Sequence, residues 1–149
     1  MKLSTKTRYG TRILIELALK LDQGAVQVSK IAASQKIPVK YLEQLIRTLK
    51  LAGIVKSVRG AKGGHLLAKK PEDISLGQIV RLFEGQIDLV DCVSSPEKCE
   101  MASECMVRHA WYDVTKALYE KLDGISIAHL IDSDNKKSPG LPACPVSLE

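Results

Sequence analysis

Apolar residues recur at helical spacing along most of this chain, and the places where that spacing breaks divide it into elements. Within residues 1–21, Tyr9, Ile13, Leu14, Leu17, Ala18 and Leu21 form one stripe, so a basic arm enters an amphipathic helix that ends at Asp22-Gln-Gly24. Ile15 and Leu19 lie off the stripe. A helix covered on one side only has no use for them, which points to a second neighbour such as a partner subunit. Ser29 is a good N-cap for a short helix reaching about Lys36. Ile37-Pro38 stops that helix, because proline disfavours helical geometry in the residue before it. Pro38 or Val39 opens a longer helix, whose Leu42, Leu45, Ile46 and Leu49 repeat at i, i+3, i+4, i+7 and face inward. Gly53 ends it. Ile54–Val58 and His65–Lys69 then read as two strands joined by the flexible loop Arg59-Gly-Ala-Lys-Gly-Gly64.

Short helix, turn, longer helix and Gly-rich hairpin, in that order, outline a winged helix-turn-helix, whose second helix enters the DNA major groove. The outward face of that helix presents Lys40, Glu43, Gln44, Arg47 and Lys50. Gln pairs with an adenine edge, Arg and Lys with guanine, and Glu accepts from cytosine N4. Arg59 and Lys62 suit a narrow minor groove, and the wing glycines allow close approach to a phosphate chain. Lys2, Lys6, Arg8 and Arg12 are candidate phosphate contacts from the N-terminal arm and helix. The candidate DNA-contact set is Arg8, Ser29, Lys40, Tyr41, Glu43, Gln44, Arg47, Arg59, Lys62 and Gly63. The wing is not a nucleotide-binding loop, since GxxxxGK[ST] is absent. No enzymatic activity is expected.

Charge sharpens this picture. Residues 1–71 hold 15 Lys/Arg against 3 Asp/Glu, net +12, and residues 72–149 hold 7 against 14, net −7. A chain polarised in this way is expected when one half meets phosphate and the other does not. A 45% hydrophobic content supports a packed core, and 4% aromatics disfavour a base-stacking surface for RNA. With no membrane-length apolar run and no signal-peptide pattern, the expected location is the cytoplasm, with no membrane partner.

The second half contains a further amphipathic helix, in which Ser75 and Gln78 form a capping box, Leu76, Ile79, Val80 and Phe83 face inward, and Gly85 closes the end. A polar segment from Asp88 to Glu104 follows, and Ser103 is placed to cap a long helix from about Glu104 to Leu122. The stripe Val107, Trp111, Val114, Leu118 and Leu122, extended by Tyr112 and Tyr119, is longer than so small a domain needs for itself. It reads as the seam of a two-fold homodimer. A short helix over 126–131 and a proline-containing tail complete the chain. The expected organisation is a DNA-binding domain over 1–84, a cysteine-containing loop over 85–104, a dimerisation helix with the following short helix over 105–132, and a flexible tail over 133–149.

Three of the four cysteines cluster as Cys92-x6-Cys99-x5-Cys105. Disulfides are uncommon in the cytosol, and zinc sites favour tighter Cys-x2–4-Cys turns. Iron–sulfur clusters accept wider loops, while ordinary inert thiols are the plain alternative. His109, four residues after Cys105, shares its helix face and is the candidate fourth ligand. Cys144, between Pro142 and Pro145 in the tail, reads as a free thiol, with a cluster or a partner thiol as the alternatives within its reach. A small electron carrier could use the same cysteines, but it has no use for a charge of +12 around a helix-turn-helix.

Leu3-Ser-Thr-Lys-Thr-Arg-Tyr-Gly10, Tyr41-Leu-Glu-Gln-Leu45, Val58-Arg-Gly-Ala-Lys-Gly-Gly-His-Leu-Leu67 and the three-cysteine loop before Trp111-Tyr-Asp113 resemble the IscR/NsrR/CymR family of bacterial regulators, through about Ile131. The resemblance implies a mainly α fold with a small β-hairpin wing, dimerised through long helices, on a double-stranded DNA operator. Its cluster-binding members imply Cys92, Cys99 and Cys105 as iron–sulfur ligands, [2Fe-2S] favoured over [4Fe-4S], with control of cluster biogenesis as the role. Sensing of nitric oxide or redox state is the variant, as is a cluster-free regulator of sulfur metabolism working through a partner protein. One departure stands out: IscR-like proteins carry His three residues after the third Cys, where this chain has Arg108, with its His displaced to His109.

Overall fold

The computed structural model describes residues 3–135, and the tail with Cys144 lies outside the described residues. Six helices and one hairpin follow in the order α1 (Thr5–Leu19), α2 (Val28–Gln35), α3 (Val39–Leu51), β1 (Val55–Val58), β2 (Gly64–Leu67), α4 (Leu76–Glu84), α5 (Met106–Asp123) and α6 (Ile127–Asn135). The strands pair antiparallel, with Val55 opposite Leu67 and Val58 opposite Gly64. Val26 and His65 exchange backbone hydrogen bonds of 2.9 and 2.8 Å, so the segment before α2 lies against the hairpin. This is the expected winged helix-turn-helix with a long helix appended.

Its centre is α1. Ile13, Leu14 and Leu17 have no exposure and join Ile31, Leu42, Leu49, Ile74, Ile79 and Ile127 in one core. The predicted stripe holds except at its end: Leu21 lies beyond the helix and is 44% exposed, and the off-stripe Leu19 is 58% exposed. Gly10 permits the close crossing of α1 and α4, because a Cβ there would collide with the Phe83 ring.

Helix ends follow local chemistry in some places and not in others. Ser4 caps α1 and Ser75 caps α4, its hydroxyl accepting from the Gln78 N–H at 3.2 Å. The predicted cap Ser29 does not act as one. The helix starts two residues earlier, Gln27 is its N-cap, and no side chain bonds there, because the Val26–His65 pairing sets where the chain turns. Ser103 does not cap either: a further turn intervenes and α5 begins at Met106 after Cys105.

The turn between α2 and α3 is unusual. Lys36 ends α2 with φ 53° and ψ 47°, the left-handed region that disfavours a side chain. The Ile37 N–H donates to the Ala32 carbonyl at 3.0 Å, and Ile37 is buried at 4% exposure, so burial of Ile37 holds its neighbour in that conformation. At the far end of α3, Gly53 takes φ 68°, and the N–H groups of Gly53 and Ile54 bond back to the Lys50 and Leu49 carbonyls. That is a Schellman closure, sealed by buried Leu49 and Ile54. Glycine is at home at 53, whereas lysine at 36 is strained. Lys36→Gly should therefore raise unfolding stability by about 0.5–1 kcal/mol, the left-handed penalty less the extra chain entropy of glycine. A urea midpoint that does not rise would show that the turn carries no such strain.

Candidate nucleic-acid interface and cysteine loop

The polar face of α3 is fully outward: Lys40, Glu43, Gln44, Arg47 and Lys50 are exposed, while Leu42, Leu45, Ile46 and Leu49 are 0–3% exposed. Ser29 on α2, Arg8 on α1, and Arg59 and Lys62 in the wing are exposed as well. Tyr41 is half-buried. Its ring meets Tyr9 edge-on at 6.1 Å and its hydroxyl pairs with the Thr5 hydroxyl at 3.2 Å, so it braces α3 against α1. A groove of about 380 Å³ runs between α3 and the hairpin, bordered by Glu43, Arg47, Lys50, Leu51 and His65. Burial pushes the His65 pKa down, and the nearby Lys50 charge adds to this.

Two further candidates also make contacts within the fold. Arg12 is exposed, and its guanidinium donates to the Gln35 side chain at 2.9 Å and the Gln35 carbonyl at 2.7 Å, which ties α1 to the end of α2. Beside it, burial opposes ionisation of Glu16, but hydrogen bonds from Lys20, Ser34 and Gln35 prevail and hold its pKa low. The wing glycines answer to protein backbone. A Cβ on Gly63 would stand 2.6 Å from the Val58 carbonyl oxygen, one on Gly64 would strike the Val26 carbonyl, and Gly60 takes φ 113°. Their smallness builds the hairpin itself.

The cysteine loop is tied into this scaffold by contacts between distant residues. Arg81 of α4 forks onto Asp123 of α5 at 2.7 and 2.6 Å and lies 4.5 Å above the Tyr119 ring. The Tyr119 hydroxyl accepts from the Ile87 N–H at 2.7 Å, where the chain leaves α4. Hydrogen bonding from Arg81 holds the Asp123 carboxyl below its usual range. Thr115 is buried and Leu118, Tyr119 and Leu122 are half-buried, so α5 packs by its last turns. Its first turns stand clear: Met106 is 88% exposed, Val107 58%, Tyr112 55%, Val114 50% and Trp111 40%.

Cys92, Cys99 and Cys105 are free thiols and half-buried. Among the described residues no three His, Cys, Asp or Glu side chains converge so as to hold a metal ion. The donor chemistry, three thiols on one loop, fits an iron–sulfur cluster, whereas their arrangement does not yet gather them, and His109 is exposed beside a groove of about 230 Å³ with Arg108, Tyr112 and Val93. Arg108 donates from Nε to the Cys92 carbonyl at 2.7 Å.

Comparison with known proteins decides the family. The model described as "Rrf2: Iron-dependent Transcriptional regulator" matches residues 3–133. This chain belongs to the Rrf2 family of transcription regulators. It is 41% identical to Protein rrf2 of Nitratidesulfovibrio vulgaris, over 88% of this chain and 87% of that one. It superposes on the structure of CymR, the global cysteine regulator of Bacillus subtilis, with TM-score 0.75 and 39% identity, covering 89% of this chain and 98% of CymR. The T. potens IscR structure gives 0.74 and 34%, covering 95% and 94%. These Rrf2 relatives are transcription regulators, not enzymes.

Glu84 is a functional-site neighbour with no local sequence signal. From the end of α4 its carboxylate accepts from the Ser4 N–H at 2.9 Å, the Ser4 hydroxyl at 2.6 Å and the Thr7 hydroxyl, clasping the start of α1 near Arg8. The Ser4 hydroxyl, then that of Thr7, holds the Glu84 carboxyl below its ordinary 4.5. A carboxyl depressed in the fold stabilises above the unfolded value, and that contribution is lost as pH falls through 4.5 and below. Wild-type stability should therefore fall more steeply than that of Glu84→Gln below about pH 5, read from urea midpoints across pH. Parallel pH profiles would remove the clasp from the account.

Proposed function

We propose that this Rrf2-family regulator acts in the cytoplasm as a homodimer on a pseudo-palindromic DNA operator, and that the loop holding Cys92, Cys99 and Cys105 controls that binding by carrying an iron–sulfur cluster. The observation that carries this reading is the junction before α5. Three free thiols occupy the one segment that joins the DNA-binding half to a helix whose first turns are apolar and exposed. An apolar helix face of that kind is what a two-fold seam buries. No helix among the described residues is long and apolar enough to cross a membrane.

On DNA, Lys40, Glu43, Gln44 and Arg47 enter the major groove and set sequence preference. Arg59 and Lys62 hold the wing to the backbone or minor groove, with Gly63 shaping its tip, and Arg8 and the exposed first turn of α2 at Ser29 meet phosphates. Tyr41 sets the tilt of α3 from below. In a dimer the two α3 helices must lie about one DNA turn apart, roughly 34 Å, so a small rotation of α5 on its Arg81–Asp123 anchor changes operator fit. Cys92, Cys99 and Cys105 would hold the cluster, with His109 or a partner-chain group as fourth donor and [2Fe-2S] favoured over [4Fe-4S]. When bound, the cluster supplies redox-active iron that answers to iron supply, nitric oxide or oxidation, which suits a regulator of cluster biogenesis. The likeness to CymR favours a second reading, a cluster-free regulator of cysteine metabolism working through a partner protein, and the thiols that do not converge support it.

Two measurements separate the possibilities. Binding to a selected operator should weaken with salt at a log–log slope of about −0.9 per phosphate neutralised. In the same assay Gln44→Ala should cost about 1–3 kcal/mol at that operator and relax one base position, whereas equal loss on random DNA would reassign Gln44 to phosphate contact. Anaerobic reconstitution with iron and sulfide, followed by absorption and Mössbauer spectra, should give a chromophore that Cys92→Ala abolishes, and holo and apo forms should differ in operator affinity. Wild-type protein that takes up no iron yet binds its operator would leave the cluster-free reading in place.

A further inference from the structure

We propose that Arg108 is a latch on the cysteine loop, a positioning residue whose guanidinium fastens the loop to the first turn of α5 in an arrangement that keeps the three thiols apart, and which must let go before they can converge. The proposal rests on the reading of this loop as the sensing element and says how it is held and released.

Arg108 Nε donates to the Cys92 carbonyl at 2.7 Å, and Nη1 reaches the Ala102 carbonyl at 3.5 Å, so one side chain spans carbonyls ten residues apart. The backbone hydrogen bonds of the loop are local turns: Val93 to Val90, Ser95 to Asp91, Lys98 to Ser95, Cys99 to Pro96, Ala102 to Cys99 and Glu104 to Met101. Among the described residues, the side-chain hydrogen bonds that reach residues 88–105 are those of Arg108. Both are charge-assisted, a class roughly twice as strong as neutral bonds; the one to half-buried Cys92 is short and the one to buried Ala102 is long, so the tie is concentrated at Cys92. Its target matters too. Fixing the Cys92 carbonyl fixes the backbone from which that thiol projects.

Arginine suits a latch and not a ligand. Its guanidinium has five donors and no lone pair to offer a metal. The register that carries a histidine in the IscR-like pattern is thus occupied here by a group that grips the loop through its carbonyls. The latched form also leaves one polar atom unsatisfied: Asp88 Oδ1 is buried with no hydrogen-bond partner. Residues 88–105, held beyond the Tyr119–Ile87 bond at the loop's start chiefly by Arg108 and carrying one orphaned carboxylate oxygen, are suited to a second arrangement, in which Arg108 releases Cys92 and the thiols converge.

The test reads thiol access in the intact, full-length, iron-free protein, by mass-spectrometric rates of iodoacetamide alkylation at each cysteine. Arg108→Ala should speed alkylation of Cys92 and Cys99 by about tenfold, the change in an opening equilibrium expected when one charge-assisted hydrogen bond is lost, with the melting temperature little changed. Arg108→Lys, which keeps the charge and one donor, should restore most of the protection, and Arg108→Gln should fall between. If Arg108→Ala does not fold, the order of wild type, Lys and Gln still decides. Rates within twofold of wild type in every folded variant would overturn the latch, as would loosening spread evenly over the whole chain in hydrogen exchange. Reconstitution separates this from the cluster reading: Arg108→Ala should take up iron and sulfide faster than wild type. Uptake by wild type with no effect of Arg108 on access sinks the latch alone, and protected thiols with no uptake by any variant sink the cluster alone.

Discussion

Burial of the Ile13, Leu14 and Leu17 face of α1 is the interaction on which the rest of the structure depends. Helix α1 contacts α2 and α3, which carry the candidate DNA-reading surface, and also β2, α4 and α6, and its three buried residues lie in the core they share. A fully buried branched aliphatic side chain contributes about 1.5–3 kcal/mol relative to an exposed one, and here three of them serve two halves of the molecule at once. Truncation of any of the three would loosen the recognition helix and the C-terminal helices together. Gly10 and the Glu84 clasp are consequences of the same constraint. The first lets α4 come close enough to share the core, and the second satisfies the start of α1 where it meets the end of α4.

Helix α5 is held differently. Few of its side chains enter the core, and only Thr115 is buried. Its attachment is polar and concentrated at one end, in the fork of Arg81 on Asp123, the Arg81–Tyr119 stack and the Tyr119–Ile87 hydrogen bond. Gly77 belongs to this joint, since a Cβ there would strike the Asp123 carboxylate. Apolar cores are densely packed and resist small displacement, whereas a helix fixed near one end can pivot. The cysteine loop runs from that fixed end to the free end. Whatever alters the loop therefore acts on the long arm of the helix, and the apolar residues exposed along that arm are those a second subunit would feel.

Much of the DNA-reading half was legible in the sequence because its determinants are local. The i, i+3, i+4, i+7 stripe of α3, the Ile37-Pro38 break, the Gly53 closure and the Ser75 cap are each decided within a few residues. The errors mark where tertiary contacts override local preference. Ser29 is a good cap residue, but the pairing of Val26 with His65 places the chain reversal elsewhere. Ser103 lost its role because the loop makes one more turn before the helix. The tie of Arg12 to Gln35 also had no local sign, since a cation on a basic helix carries no mark of an acceptor 23 residues away. That Gly63 lies against the Val58 carbonyl and Gly64 against the Val26 carbonyl was likewise not legible, because the second contact joins residues far apart in the chain.

The sequence by itself determined the order of the elements, the basic and acidic halves, the recognition face and the three thiols with Arg108 beside them. These depend on periodicity, composition and spacing, which short stretches of chain record. Only the tertiary structure decided how those thiols are held. Arg81 meets Asp123 across 42 residues, Tyr119 meets Ile87 across 32, and Arg108 meets the Cys92 carbonyl across 16. A side chain's reach to a backbone carbonyl leaves no periodic trace, because every residue carries the same carbonyl and only folding chooses which one the guanidinium meets.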